Sequence, residues 1–137
     1  MRLIVRVLLA AALYGLEHKN DIVSHSFDQV KKSRDFLCTF FDRLSEQGLI
    51  SYAKPTAGFY LFFKTQHEDS FELVMNILQE VKIAMAPGCD FGPNAKSFIR
   101  FCFARDPEIV IEGIKRLQDY FIRKNISQSL HMMSSSL

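Results

Sequence analysis

A single arginine lies inside an otherwise apolar run of the sequence. Arg100 stands within residues 98–104 (FIRFCFA), and a loop rich in proline and glycine, residues 87–93 (PGCDFGP), comes directly before that run. Arginine keeps its proton at any pH that a protein meets, so its guanidinium needs either an anion or solvent. The planar fork of its N–H groups fits a carboxylate through two parallel hydrogen bonds. The pattern therefore predicts that Arg100 binds a ligand through a carboxylate.

The cysteines and histidines do not show the spacing of a metal site. An odd number of cysteines without C-x-x-C spacing is typical of reduced intracellular thiols rather than of a disulfide framework. The histidines are also spread without metal-ligand spacing. The sequence therefore predicts a cytoplasmic protein without a metal site, and the residues concerned are Cys38, Cys89, Cys102, His18, His25, His67 and His131.

The first sixteen residues are apolar but interrupted by charge. Arg2 followed by a run that ends in three alanines at 10–12 resembles a short secretory signal. Arg6 interrupts that run, and the cysteine usage indicates an intracellular protein. The run is also too short and too charged to cross a bilayer, so no membrane partner is expected. We favour a buried helix or a strand-to-helix segment here, and a signal segment is the alternative.

Length and charge limit the remaining classes of function. With 137 residues, of which 48% are apolar and 13 are phenylalanine, the chain is long enough for one domain with a core. A net charge of +2 and scattered basic residues do not form the stripe that binds nucleic acid. We therefore expect no nucleic-acid partner.

Apolar periodicity predicts a series of helices. A helix over residues 10–16 is followed by a long one over 21–47, with Asn20 or Asp21 as its cap and Gly48 as its stop. Ser70 is expected to cap a helix that ends near residue 81. The sequence Asp106-Pro107-Glu108 is typical of a helix start, and that helix is expected to extend to residue 124.

Four apolar segments predict the strands that present Arg100. They are residues 49–53, 59–63, 82–86 and 98–104, and their order with the helices predicts an α+β fold. The sheet is expected to be mostly antiparallel, with three or four strands and with helices packed on one face. Because side chains alternate along a strand, Ile99, Phe101 and Phe103 would face the helices and Arg100 the open face. That face is too apolar for water alone, so a ligand, a partner chain or a further domain should cover it.

Three motifs together resemble a known family. They are residues 54–62 (KPTAGFYLF), Ala86-Pro87-Gly88 with Phe91-Gly92, and residues 99–104 (IRFCFA). At these spacings they resemble the C-terminal small domain of class I/II aminotransferases, which depend on pyridoxal 5'-phosphate (PLP) and have the aspartate aminotransferase-type fold, fold type I. The resemblance covers residues 10–124. It implies a parent enzyme that transfers an amino group between an amino acid and a 2-oxo acid and works as a dimer.

The resemblance also implies a role for one residue and the absence of others. The family's arginine at the position of Arg100 binds the α-carboxylate of the substrate. The family's PLP lysine, and the aspartate that pairs with the pyridine nitrogen, belong to a large N-terminal domain upstream of the region matched here. Ser51-x-x-Lys54 has the family's S-x-x-K spelling but lies in the small domain, so we interpret it as chance. The expectation is an N-terminally truncated enzyme without covalently bound PLP, inactive alone.

The expected organisation and its alternatives are as follows. Residues 1–16 would be the remnant of an interdomain helix, 17–125 the small domain, and 126–137 a disordered tail. The alternatives are a stand-alone carboxylate-binding or regulatory module, a partner for a separately encoded large domain, and the product of a degraded gene. Asp90 offers a local alternative for the site, because it could simply pair with Arg100 or Lys96.

Overall fold

The fold combines four helices with one four-stranded sheet. The structure, a computed structural model, describes residues 2–134, with side chains for all of these except residues 2, 25, 26 and 128–134. Along the chain the helices and strands follow in this order: α1 Arg2–Glu17, α2 Lys19–Glu46, β1 Ile50–Tyr52, β2 Tyr60–Thr65, α3 Ser70–Val81, β3 Ala86–Pro87, β4 Phe98–Cys102 and α4 Pro107–Ser134.

The sheet is antiparallel between all its neighbouring strands, in the order β1-β2-β4-β3. Two short 3-10 turns, Gly88–Phe91 and Pro93–Ala95, connect β3 to β4. The chain is therefore α+β with an antiparallel four-stranded sheet, and the predicted fold class is confirmed.

The core lies between one face of the sheet and the helices. Ile99 and Phe103 are fully buried and Phe101 is nearly so, which confirms the predicted alternation along β4. The ring of Phe63 on β2 meets that of Phe41 on α2 edge to face at 4.9 Å. Each large apolar side chain buried in this way contributes about 1.5–3 kcal/mol to folding. The other buried members from the long helices are Leu37, Leu44, Val110, Ile114, Leu117, Tyr120 and Phe121.

Helix α2 begins differently from the prediction and ends as predicted. Residue His18 precedes the helix, and no side-chain cap is formed there. Asn20 and Asp21 lie inside the first turn, so the predicted cap is wrong, because the chain passes from α1 to α2 through a single intervening residue. At the other end Gly48 takes a φ of +70°, a left-handed conformation that favours glycine, and its N–H donates to Ser45.

The cap of α3 lies one residue earlier than predicted. Asp69, not Ser70, accepts hydrogen bonds from the N–H groups of Phe71 at 2.9 Å and Glu72 at 3.1 Å. A carboxylate also matches the positive end of the helix, which a neutral hydroxyl does only weakly. The hydroxyl of Ser70 instead accepts from the N–H of Cys89 at 3.3 Å. Ser70 therefore connects α3 to the loop in front of β4.

Two other boundaries differ from the prediction. The third strand is only Ala86–Pro87, because Lys82 closes α3 in a left-handed conformation and the chain needs residues 83–85 to reach the sheet. Helix α4 begins as predicted, with Asp106 accepting from the N–H of Glu108 at 2.9 Å. It does not end near residue 124 but continues to Ser134, where a tail without regular structure was predicted from residue 126. Residues 135–137 lie outside the described part of the chain.

Helix α1 is present but is not buried. The helix itself is confirmed, whereas its predicted burial is wrong within this chain: Leu3 is 75% exposed, Leu9 63% and Leu16 69%. The physical reason is that, among the described residues, α1 packs mainly against α2 and contributes no residue to the core cluster. Across residues 2–134, no helix combines the length and apolar character needed to cross a membrane.

Candidate functional site

Arg100 lies at the centre of the sheet face that the helices leave uncovered. On β4 the residues of this face are Phe98, Arg100 and Cys102, and on β2 they are Tyr60, Phe62 and Lys64. Phe62 is the direct cross-strand neighbour of Arg100, and Ala86 flanks Arg100 from β3. The predicted position of Arg100 on the open face is therefore confirmed.

Two aromatic rings lie against the guanidinium of Arg100. Its Cζ lies 4.4 Å from the ring centroid of Tyr60 and 4.4 Å from that of Phe91. Tyr60 begins β2, whereas Phe91 ends the 3-10 turn that follows β3. At these distances a cation is attracted by the negative faces of both rings.

No carboxylate neutralises Arg100 within the described part of the chain. All ion pairs found there, at N–O distances up to 4.0 Å, involve other residues, and its guanidinium makes no hydrogen bond there. The alternative partner Asp90 does not pair with Arg100 or with Lys96, and its carboxylate instead lies 3.9 Å from Sγ of Cys89. The N–H groups of Arg100 are therefore available to an external anion.

The aromatic neighbours of Arg100 also contact one another. The rings of Phe62 and Phe98 stack at 4.9 Å with an interplanar angle of 13°. Phe91 meets Phe62 nearly at a right angle, with ring centroids 5.9 Å apart. Phe62 is 38% exposed and Phe91 47% exposed. The result is an apolar surface around Arg100, with Lys64 beside Phe98 as the second cation of this face, on strands that the core side holds in register.

The loop that carries Phe91 packs closely on β4. A Cβ at Gly88 would collide with the backbone oxygen of Ala95 and lie 2.5 Å from that of Phe98. Gly88 is therefore needed for close backbone approach rather than for an unusual φ. Together with the Ser70 hydrogen bond, this contact sets the distance between Phe91 and Arg100.

A second polar cluster lies at the end of β1, away from the open face. The hydroxyl of Tyr52 donates to Asp42 at 2.6 Å, and the ammonium of Lys54 lies 2.7 Å from the same carboxylate. The hydrogen bond from Lys54, followed by that from Tyr52, lowers the pKa of Asp42 below its ordinary value. The same contact raises the pKa of Lys54.

The surroundings of Lys54 show whether this lysine could bind PLP covalently. A lysine that forms a Schiff base must react as the neutral amine, whereas the Asp42 carboxylate favours the charged form of Lys54. Lys54 is also 62% exposed and turned towards α2 rather than towards Arg100. The Ser51-x-x-Lys54 segment therefore does not fit the attachment site of the cofactor.

The cysteines and histidines form no further site among the described residues. Burial raises the pKa of Cys38, while Cys89 and Cys102 are exposed. No group of three potential metal ligands occurs among the described side chains, and those of His25 and His131 lie outside them.

Two cavities occur elsewhere on the molecule. One of about 300 Å³ lies between α3 and α4 and is lined by Leu73, Tyr120 and Phe121 among others. The other, of about 440 Å³, lies along β1 and β2 near Ser51 and Lys64. Arg100 lines neither of these two cavities, and it lies instead on the partly exposed face of the sheet.

The two rings that contact Arg100 are functional residues that the sequence did not identify as its partners. Tyr60 was placed in a strand and Phe91 in a motif, without a contact between them. A signal existed for Tyr60, since alternation within residues 59–63 allows it to share a face with Arg100. No local pattern places Phe91, because its position depends on how the loop packs against β4.

Comparison with known proteins gives one consistent result. The family model for aminotransferases of class I and II matches residues 4–117. A probable N-acetyl-LL-diaminopimelate aminotransferase of Bacillus subtilis is 31% identical over 116 residues, 83% of this chain and 28% of the relative. The aspartate aminotransferase of Thermotoga maritima is 32% identical over 110 residues, 80% of this chain and 26% of the relative. The chain thus spans little more than a quarter of the length of these relatives.

Solved structures are similar over the same region. The crystal structure of the Thermotoga maritima aspartate aminotransferase superimposes with a TM-score of 0.60 at 30% identity, over 71% of this chain and 24% of that one. An aminotransferase from Staphylococcus aureus gives a TM-score of 0.68 at 28% identity, over 82% and 29%. A PLP-dependent aminotransferase from Streptococcus suis gives 0.71 at 23% identity, over 84% and 29%, and that likeness concerns the fold alone.

Proposed function

Because the chain belongs to the class I and II aminotransferase family, we propose that it contributes the arginine that binds the substrate carboxylate in an amino-group transfer. The reaction would move an amino group between an amino acid and a 2-oxo acid. Arg100 would bind the α-carboxylate that both substrates share. The family relationship was predicted from the three motifs and is confirmed, whereas the role of Arg100 is a proposal.

The observation that carries the proposal is the lack of an internal anion beside Arg100. Among the described residues its guanidinium has only ring contacts, to Tyr60 and Phe91. These rings attract the cation but do not accept the hydrogen bonds that its N–H groups donate. A substrate carboxylate would accept two of these bonds side by side and neutralise the charge.

We further propose that this 137-residue chain does not catalyse transfer on its own. Members of the family depend on PLP, which accepts electrons from the carbon that loses its proton. The one segment that resembles the cofactor's attachment site, ending in Lys54, does not fit it. The chemical part of the site would belong to a large domain, and the cytoplasmic location inferred from the cysteines stays a prediction.

A second proposal concerns what the chain binds to. We propose that α1 and the open face dock onto a large aminotransferase domain, on this or another polypeptide, or onto a dimer partner. The observation that favours docking is the exposure of α1, on which apolar side chains such as Leu8 at 64% and Leu13 at 58% face solvent. Exposed apolar surface of this extent marks an interaction site. This favours a partner over the alternative of a stand-alone regulatory module.

The role of Arg100 is tested in an active context. In a chimera that carries residues 4–117 in place of the matching region of the Thermotoga maritima enzyme, Arg100→Ala should lower kcat/KM for amino acids. The expected loss is about 2–5 kcal/mol in transition-state binding, as for removing one partner of a desolvated charge pair. Arg100→Lys is the matched variant, and it should recover only part of the loss because a lysine lacks the fork. An unchanged kcat/KM in Arg100→Ala would refute the role.

The proposal of inactivity has a direct spectroscopic test. When the chain is mixed with PLP, we expect no absorbance band of a Schiff base with Lys54. The control is Lys54→Ala, whose spectrum should be the same as that of the unmodified chain. A stable band that depends on Lys54, together with turnover, would contradict the proposal. Docking is tested separately by co-purification with a large domain of the family, which should bind the chain and fail to bind a variant with Leu8 and Leu13 changed to lysine.

A further inference from the structure

The two rings around Arg100 do more than fill space on the open face. Tyr60 and Phe91 reach the guanidinium from different parts of the chain, one from β2 and one from the loop before β4. Both ring centroids lie 4.4 Å from Cζ. A guanidinium in contact with two rings has fewer rotamers open to it, whereas a free arginine side chain samples many and loses that freedom when it binds.

We propose that Tyr60 and Phe91 are positioning residues that hold Arg100 ready for an edge-on carboxylate. This inference rests on the proposed function, since it concerns the same arginine. Because the two rings contact the cation without accepting the hydrogen bonds that it donates, its N–H groups stay open, and two of them on one edge match the two oxygens of a planar carboxylate. The rings thereby remove part of the ordering that binding would otherwise require.

The position of Phe91 is itself supported by its neighbours. Its ring meets Phe62, which is stacked on Phe98. A continuous row of rings therefore leads from the strands to the clamp, which Tyr60 and Phe91 form at Arg100. The loop backbone is held by the close contact at Gly88 and by the hydrogen bond from Cys89 to Ser70. Phe91 is therefore part of a packed arrangement and not a loop side chain that happens to lie near Arg100.

The clamp also has a consequence for the kind of anion that binds. A fork that binds through one edge matches the planar carboxylate, whereas the further oxygens and the second charge of a tetrahedral phosphate need donors outside that plane. A monoanionic planar carboxylate needs only the open edge. Acetate should therefore bind better than inorganic phosphate, although both can accept two hydrogen bonds.

The experiment is a titration of the 137-residue chain with acetate, followed by NMR on arginine labelled with 15N. The Nε–Hε resonance of Arg100, identified by its loss in Arg100→Ala, should be displaced upfield by the ring currents and should shift as acetate binds. The variants Phe91→Leu and Tyr60→Leu keep apolar volume but remove one ring each. Each should abolish part of the upfield displacement and weaken acetate binding by about five- to tenfold, in line with a lost cation–ring contact.

Two controls separate the clamp from general effects on the fold. Tyr60→Phe keeps the ring and should bind acetate within twofold of the unmodified chain. Phe59 precedes Tyr60 in the sequence and is 54% exposed. Phe59→Leu removes its ring, and its affinity for acetate should also remain within twofold of that of the unmodified chain. If Phe91→Leu loses its helical circular dichroism, Phe91→Met takes its place, because it lacks the ring and repacks easily.

The outcomes distinguish this inference from the proposed function. Acetate binding that is lost in Arg100→Ala but unchanged in Phe91→Leu and Tyr60→Leu overturns the clamp and leaves the role of Arg100 intact. Absence of any Arg100-dependent binding contradicts the role of Arg100, and the ring-current displacement then still decides whether the clamp exists. Phosphate binding as tight as acetate overturns the selectivity.

Discussion

The two faces of the sheet are built from the same strands and largely from the same residue types, yet they differ in what surrounds them. On one face Leu61 and Phe63 of β2 pack under α2 and α4 and are almost fully buried. On the other, Tyr60 and Phe62 from the same strand are 48% and 38% exposed. Whether a phenylalanine of β2 is buried or exposed therefore depends on which side of the sheet its position in the strand faces.

We expect the covered face to contribute mainly to the stability of the domain and the open face mainly to binding. The covered face has its apolar groups satisfied by neighbours from the same chain, so changes there should act on folding. The open face holds a cation without an internal anion and rings that are only partly covered, so changes there should act on binding. The following predictions test this separation, beginning with the largest expected effect.

Truncation at adjacent residues of β2 should separate the faces most clearly. Phe63→Ala removes a fully buried ring that touches Phe41 and should lower the free energy of unfolding by about 3–5 kcal/mol. Phe62→Ala removes a ring that is already 38% exposed and should lower it by about 1 kcal/mol. Urea denaturation followed by circular dichroism measures both, and equal losses would mean that the faces are not different in burial.

The loop beneath Phe91 should be sensitive to a single methyl group. Gly88→Ala places a Cβ against the backbone oxygens of Ala95 and Phe98, and overpacking of this kind should lower stability by about 1–3 kcal/mol. The matched control is Gly113→Ala in α4, where a Cβ meets nothing within 4 Å and should raise stability by up to about 1 kcal/mol. Thermal unfolding of the two variants should shift in opposite directions, and a neutral Gly88→Ala would contradict the close approach.

The helix cap of α3 should affect folding without affecting the open face. Asp69→Ala removes the acceptor for two N–H groups and should cost about 1 kcal/mol of stability. Asp69→Asn keeps an acceptor and should cost less. Acetate affinity at Arg100 should be unchanged in both variants, and a loss of affinity greater than twofold would show that the faces are coupled through α3.

The smallest effect concerns pH and the cluster around Asp42. Its pKa is lowered in the folded chain by the hydrogen bonds from Lys54 and Tyr52. A lowered folded pKa means that the stabilisation is present above the unfolded value of about 3.9 and is lost as the pH falls through the folded value. Asp42→Asn should therefore flatten the dependence of stability on pH below about pH 4. A slope identical to that of the unmodified chain would show that the pair contributes nothing.

Much of the fold could be predicted because the relevant signals are local. Alternation along residues 98–104 placed Arg100 on the open face, and the stop at Gly48 followed from its neighbours. The errors occurred where tertiary contacts decide. Asp69 caps α3 instead of Ser70, whose hydroxyl accepts a hydrogen bond from the N–H of Cys89. Helix α1 is exposed because the described part of this chain offers no surface that buries its apolar side chains.

The site was predicted only in part for the same reason. A lone cation in an apolar strand identifies Arg100 by its chemistry. Its two ring partners come from a strand and a loop separated by about thirty positions in the sequence, and no periodicity connects them. The clamp depends on packing across the sheet, which a single sequence does not specify.

The most direct test of the account is isothermal titration of the chain with pyruvate, a 2-oxo acid whose carboxylate should occupy the edge of Arg100. We expect weak binding, with Kd of roughly 1–10 mM for so small a ligand, that disappears in Arg100→Ala. The Gly113→Ala and Asp69→Ala variants, run at the same concentrations, should retain heat of binding. Pyruvate binding that is equal in the unmodified chain and in Arg100→Ala would contradict the claim that the open face is a carboxylate site.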